Sequence, residues 1–194
     1  MRVLRGIRRM VTGGGRRRVV LAASALAMTA GLGALAASPA SADTSTYDSL
    51  SSASSLYSLD VAGASTSIGA SIDVWYANGN ANQDFTYPSA NGQVAQIENQ
   101  NSQMCVTTDG VAGDTLYQFP CVGAASQQWE AETWTAWWSP GSTQVTYLNP
   151  ASGLVMEIYG DSYSPGASVD AWYPNGGLNQ SWILPGCNNS IVCS

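Results

Sequence analysis

LDVAGASTSIGASIDVWYANGNANQDF, residues 59–85, and MEIYGDSYSPGASVDAWYPNGGLNQSW, residues 156–182, are two copies of one pattern. They stand 97 positions apart and align without insertion or deletion. The first carries Asp60, Gly63, Gly69, Asp73, Trp75, Asn78-Gly79, Asn82-Gln83 and Phe85. The second carries Glu157, Gly160, Gly166, Asp170, Trp172, Asn175-Gly176, Asn179-Gln180 and Trp182. A fixed period is the signature of a repeat architecture. A repeat of apolar residues alone would mean only that units stack on one another. Here a carboxylate, an aromatic and an amide return together, a set that suits a polar, ring-shaped ligand.

The interval between the copies holds a third, diverged repeat. Cys105-Val106-Thr107 falls where Leu59-Asp60 begins the first copy. Gly113 matches Gly69, Leu116 matches Ile72, and Phe119 matches Trp75. Ser126-Gln127-Gln128-Trp129 matches Asn82-Gln83-Asp84-Phe85, so Gln-x-aromatic occurs three times, at Gln83, Gln127 and Gln180. Each repeat runs to roughly 40–50 residues, the size of a multi-strand unit.

The local pattern is all-β. Ile72 and Val74 face one way and Asp73 and Trp75 the other, and Val169-Asp170-Ala171-Trp172 repeats this alternation. Leu59-Asp60-Val61 buries its flanks and presents Asp60. Asn78-Gly79 and Asn175-Gly176 are hairpin-turn signals, because both residue types tolerate positive φ. Short strands punctuated by Gly, Asn and Ser predict a barrel or sandwich. Thr44 to Ser58 is Ser-rich like a linker, yet Tyr47, Leu50, Leu56 and Leu59 give it the apolar content of a first strand. Trp134, Trp137 and Trp138 read first as strand or core packing and second as an extra aromatic platform.

All seven basic residues precede residue 20, and the chain has no Lys or His. The apolar run Val19 to Ala37 follows and ends in Ala40-Ser41-Ala42. This predicts a secretory signal peptide over 1–42, cut after Ala42, and a secreted, extracellular protein. Arg17-Arg18-Val19-Val20-Leu21 is a partial twin-arginine match that does not choose the export route. The mature chain then carries thirteen acidic side chains and no basic one. Phosphate-backbone and anionic-lipid binding both need cations, so nucleic acid and membrane surfaces are excluded as partners. Acidic ligands such as sulfated glycans would be repelled. About 150 mature residues make one domain. Four cysteines in an exported chain imply two disulfides. Of three possible pairings, Cys105–Cys121 frames the middle repeat and Cys187–Cys193 closes a C-terminal loop. Their spacing matches no zinc pattern, and no metal or other cofactor is expected.

Over about residues 45–185 the chain resembles the ricin-type β-trefoil lectins. The features that carry this are the three Gln-x-aromatic signatures, the Leu59-Asp60-Val61 opening and the Ile72-Asp73-Val74-Trp75 strand. The resemblance implies an all-β, pseudo-threefold β-trefoil over 43–186, with twelve strands and lobes at about 45–95, 96–140 and 141–186. Residues 187–194 would form a disulfide-closed tail. It also implies that Gln83, Gln127 and Gln180, with their aromatics, are mainly structural.

Carried over by position, the candidate carbohydrate site of the first lobe is Asp60, Asp73, Trp75, Asn82 and Gln83. That of the third is Glu157, Asp170, Trp172, Asn179 and Gln180. A carboxylate accepts strong charge-assisted bonds from sugar hydroxyls. An indole face covers the apolar face of a pyranose, and an amide both donates and accepts. Three departures matter. Asp73 and Asp170 stand where many relatives carry an amide, and Glu157 stands where Asp is usual. The middle lobe has Thr107, Tyr117, Phe119 and Ser126 at the key places, so it is expected to be silent. The chain thus reads as a secreted, non-enzymatic lectin, a monomer with two sites for a glycan or polysaccharide. A protein-interaction or inhibitor trefoil is the alternative. A carboxylate-pair glycoside hydrolase ranks below it, because a shallow surface pocket does not flank a scissile bond.

Overall fold

The structure, a computed structural model, describes residues 46–135 and 142–188. The expected signal peptide, Trp137, Trp138 and the expected Cys187–Cys193 pairing lie outside the described residues. No described helix is long and apolar enough to cross a membrane.

Fourteen short strand segments and five 3-10 turns make up the described residues, with no α-helix among them. The first lobe holds β1 (Asp48–Ser49), β2 (Ser51–Ser52), β3 (Ser58–Val61), β4 (Ile72–Trp75) and β5 (Asp84–Thr86). The second holds β6 (Val94–Ala95), β7 (Glu98–Asn99), β8 (Met104–Thr107), β9 (Tyr117–Pro120) and β10 (Trp129–Thr135). The third holds β11 (Ser142–Asn149), β12 (Leu154–Ile158), β13 (Ala167–Trp172) and β14 (Trp182–Asn188). In lobes one and two the first strand is broken into two pieces, so the fourteen segments fill twelve positions.

Pairing follows one rule in all three lobes. The first strand pairs with the last strand of its own lobe: β1 with β5, β6 with β10, β11 with β14. It also pairs with the last strand of the preceding lobe: β2 with β14, β7 with β5, β11 with β10. These pairings close a barrel, which leaves no free edge among the six positions. The middle two strands of each lobe, β3–β4, β8–β9 and β12–β13, are antiparallel hairpins. They meet as a cap through equivalent backbone bonds. Gly69 N–H donates to Gln118 O (2.9 Å), Gly113 to Ala171 O (2.8 Å), and Gly166 to Val74 O (2.7 Å). The pseudo-threefold β-trefoil is therefore realised.

The core lies between barrel and cap. Leu50, Leu59, Ile72, Val74, Ile97, Val106, Leu116, Met156, Val169 and Ala171 pack there with Tyr147. The aromatics of the three Gln-x-aromatic signatures, Phe85, Trp129 and Trp182, are fully buried among them. Truncating such a ring typically costs about 3–5 kcal/mol. The period-two reading of β4 holds: Ile72 and Val74 are sealed while Trp75 is exposed. Thr44 falls outside the described residues, but Leu50 seals into the core between β1 and β2, so this stretch is a first strand. Leu56 departs from that reading. It is exposed at a turn with φ 63°.

Asn78-Gly79 and Asn175-Gly176 do not make hairpins. β5 pairs with β1 and β7, never with β4, and β14 pairs with β11 and β2, never with β13. The dipeptides instead lead the chain from cap to barrel. Gly79 and Gly176 supply φ near +70°, and the Asn side chains accept from N–H two residues on, Asn80 at 2.9 Å and Gly177 at 2.7 Å. Such Asx turns use the same residue types as a hairpin loop without requiring paired flanks. The expected Cys105–Cys121 disulfide is present, spanning β8 and the end of β9.

Candidate functional site

Each Gln of the three signatures is a buried clamp with the same partners. Gln83 Oε1 accepts from Asn78 N–H (2.9 Å), and its Nε2 donates to Tyr76 O (2.9 Å) and Asp60 Oδ2 (2.7 Å). Gln180 Oε1 accepts from Asn175 N–H (2.9 Å), and its Nε2 donates to Tyr173 O (2.9 Å) and Glu157 Oε2 (2.6 Å). Gln127 repeats the scheme with Val122 N–H, Pro120 O and the Thr107 hydroxyl. Both amide hydrogens are thus committed in every lobe. Gln83 and Gln180 line neither pocket described below. They hold the connecting loop and, in the outer lobes, the carboxylate.

The carboxylates come in cross-strand pairs. Asp60 stands opposite Asp73 in the β3–β4 register, and Glu157 opposite Asp170 in β12–β13. Directly opposed residues have side chains within about 5 Å of each other, and residues 46–188 contain no Lys, Arg or His to place between them. Burial first, and the Asp60 charge second, push Asp73 up to about 6. Asp170 is likewise pushed up to about 6, by burial and then by Glu157. Asp60 and Glu157 are also raised by burial, against the pull of the amides that donate to them. Asp60 takes both its amide bonds on Oδ2, from Gln83 and from Asn82 Nδ2 (2.8 Å). Several buried oxygens have no protein partner: Asp73 Oδ1, Asn82 Oδ1 and both oxygens of Asp170. A buried acceptor without a donor is costly unless a ligand, water or proton satisfies it.

Beside each pair stands an exposed indole. Trp75 is 43% exposed and Trp172 is 39% exposed. Exposure alone does not single them out, since Phe119 is 40% exposed. Their footing does. A Cβ built on Gly166 of the third lobe would sit 3.2 Å from the Trp75 ring, and one on Gly113 of the second lobe 3.2 Å from Trp172. Each indole is therefore braced against a glycine of a neighbouring lobe and leaves part of its ring open to solvent. At Gly69, the equivalent place next to Phe119, a Cβ would meet nothing within 4 Å. Tyr76 and Tyr173 abut the indoles edge-on, with centroids 6.0 and 5.8 Å away. Sequence reasoning passed over these two tyrosines, although they follow Trp in both copies.

These groups converge in two pockets. The first, about 320 Å³, is lined by Asp60, Asp73, Trp75, Asn82, Asn78 and the Gly63 turn. The second, about 590 Å³, is lined by Glu157, Asp170, Trp172, Asn179 and the Gly160 turn, among others. Eight of the ten candidate residues thus meet as two sets of four, and the two glutamines stand behind them.

The middle lobe differs in more than residue identity. Thirteen positions separate Asp60 from Asp73, and Glu157 from Asp170, but only ten separate Thr107 from its partner Tyr117. The missing three correspond to the 3-10 turns Ala62–Ala64 and Tyr159–Asp161, which wall the outer pockets. The middle hairpin thus lacks a wall, a carboxylate and an Asn together. Among the described residues, the one cluster of three potential metal ligands is Glu98, Cys105 and Cys121. Its two sulfurs are bonded to each other.

The β-trefoil fold and the matching family model define the class as a carbohydrate-binding domain. The family model described as a ricin-type beta-trefoil lectin domain matches residues 47–182, and the chain belongs to that family. No curated protein matches the chain. Among solved structures it is similar to a designed threefold-symmetric protein, ThreeFoil, at 25% identity and TM-score 0.61, covering 71% of this chain and 96% of that one. It is similar to an exo-β-1,3-galactanase from Clostridium thermocellum at 25% identity and TM-score 0.64, covering 74% of this chain but 30% of the enzyme. A Macrolepiota procera ricin B-like lectin, solved with lactose, shares the fold at 17% identity and TM-score 0.54, covering 72% of this chain and 94% of that one.

Proposed function

We propose that the chain is a secreted lectin with two working sugar pockets, on the first and third lobes, and a silent middle lobe. The observation that carries this reading is the braced indole beside a carboxylate pair, present twice and absent from the middle lobe. Trp75 and Trp172 offer their free faces to the apolar face of a sugar ring. The remaining oxygens of Asp60 and Glu157 accept from hydroxyls, and Asn82 Oδ1, which lacks a protein partner, accepts another. Burial and the opposing carboxylate push Asp73 and Asp170 up to about 6, so each acid pair carries less than two full charges below that pH. Gln83 and Gln180 act through the carboxylates they position. Galactose-like sugars and plant-wall pentoses are both compatible with this set.

The test is titration calorimetry with galactose, N-acetylgalactosamine, lactose, arabinose and xylose. The unmodified protein should bind two molecules of the preferred sugar. Trp75→Ala and Trp172→Ala should each reduce this to one, with less than about 1 kcal/mol lost in stability, because an exposed face contributes little to the core. A stoichiometry of one before mutation would sink the two-pocket reading.

A carboxylate-pair glycosidase is favoured by one observation, the pKa of about 6 at Asp73 and Asp170. Against it, both acids of a pair lie side by side on one hairpin rather than across a cleft, and the Asp170 oxygens are sealed from solvent. The protein should release no reducing sugar from β-glycans or galactans; release that vanishes in Glu157→Gln would reverse this reading.

A further inference from the structure

The two pockets are built on the same backbone but not with the same rim. Their 3-10 turns superpose in conformation: Gly63 has φ 63° and Gly160 has φ 64°, Ala64 has φ 51° and Asp161 has φ 52°. On that shared frame the third lobe carries Tyr159, Asp161 and Leu178 where the first carries Ala62, Ala64 and Ala81. All three larger side chains line the third pocket. Tyr159 is 60% exposed, and Leu178 is also exposed. Among the described residues no hydrogen bond or ring contact holds the Tyr159 side chain, and most of its surface is open to solvent. Asp161 lies near enough to raise Glu157 through its charge. The third pocket, at about 590 Å³, is larger than the first, at about 320 Å³.

We infer that the third lobe has a second sugar subsite, formed by Tyr159, Asp161 and Leu178, so that this lobe binds a neutral oligosaccharide of two or more residues while the first lobe binds a single one. This rests on the two-pocket reading above. The first ring stacks on Trp172 and the next on Tyr159. Leu178 covers apolar C–H surface, and Asp161 accepts from a hydroxyl of the second ring. The ligand is neutral because the pocket holds Glu157, Asp161 and Asp170 with no cation; a uronic acid or sulfate would meet three carboxyl groups. Position 62 in the first lobe is alanine, so a second ring there finds no platform.

The experiment uses two single-pocket proteins, Trp75→Ala to leave the third lobe and Trp172→Ala to leave the first. Each is titrated with galactose, lactose and β-1,3-galactotriose, and with xylose, xylobiose and xylotriose. With the third lobe alone, the di- or trisaccharide of one series should bind about 3- to 10-fold tighter than its monosaccharide, the range expected of one added aromatic contact. With the first lobe alone, affinity should stay within about twofold along the series. Adding Tyr159→Ala to the Trp75→Ala protein should bring the longer sugars down to monosaccharide affinity and leave the monosaccharide unchanged. Adding Ala62→Tyr to the Trp172→Ala protein should create a chain-length gain. Equal chain-length dependence in the two proteins overturns the second subsite while leaving two working pockets. Loss of monosaccharide binding on Tyr159→Ala also overturns it, by making Tyr159 part of the primary site. Failure of every probe with both proteins overturns the two-pocket reading itself.

Discussion

The middle hairpin and the two outer ones share a buried Gln clamp, a buried aromatic behind it and an exposed ring at the strand end. They differ in the carboxylate pair, the amide, the glycine brace and three residues of turn. The shared parts are those the fold needs. Gln127 makes the same two loop bonds as Gln83 and Gln180, although its side-chain partner is the neutral Thr107. The parts that differ line the pockets or, for the glycine brace, support an indole that does. The Gln-x-aromatic signature is therefore a mark of the lobe, and ligand capacity is written separately at the positions around it.

The largest effect that would sharpen this contrast is in avidity. Two outward-facing pockets make the second contact with a polymer intramolecular, which strengthens retention by ~10²–10⁴ where spacing permits. Asp60→Ala or Glu157→Ala should remove most of that gain on an immobilised polysaccharide, yet only halve free-sugar stoichiometry. Phe119→Ala should change neither by more than about twofold. A Phe119 effect as large as that of Asp60 would break the distinction between the lobes.

Next comes the clamp. Gln127→Ala leaves Val122 N–H and Pro120 O without their partner and should destabilise the protein by about 2–3 kcal/mol, read as a denaturant midpoint shift. Sugar binding per folded molecule should be unchanged. Gln83→Ala should destabilise comparably and, by freeing Asp60, also weaken the first pocket. If Gln127→Ala lowered binding as much as Gln83→Ala does, the separation of fold and site would be wrong.

The smallest effect is in pH. Asp73 and Asp170 ionise near 6 in the folded chain against 3.8 for an ordinary Asp. The folded state therefore takes up protons before the unfolded one, and protonation favours folding. Their contribution is fully present below pH 3.8 and is lost as pH rises through about 6. The melting temperature should climb as pH falls from 8 to 5. Asp73→Asn with Asp170→Asn, which places amides in both outer lobes, should flatten the climb. A slope unchanged in the double variant would show that the outer pairs do not set it.

Much of this was legible because the relevant signals are local. Period-two alternation exposes Trp75 over Ile72 and Val74, and the 97-residue register pairs Asp60 with Glu157 and Trp75 with Trp172. The hairpins expected at Asn78-Gly79 and Asn175-Gly176 show the limit. The dipeptide specifies a positive φ, not which strands its flanks will join, and barrel closure sends β5 and β14 to other partners.

The sequence by itself determined the repeat, the β class, the Gln and aromatic positions, the absence of any cation from residues 46–188 and the residues that would meet in each outer lobe. These follow from spacing and side-chain chemistry, which are properties of the chain. Only the tertiary structure decided that Gly166 braces Trp75 and Gly113 braces Trp172, that Asp60 and Glu157 each face a second buried acid, and that Tyr159 shares a pocket with Trp172. Each of these joins groups brought together by lobe packing or strand register. Burial and field at such a junction depend on what the rest of the chain places around it, which no local pattern encodes.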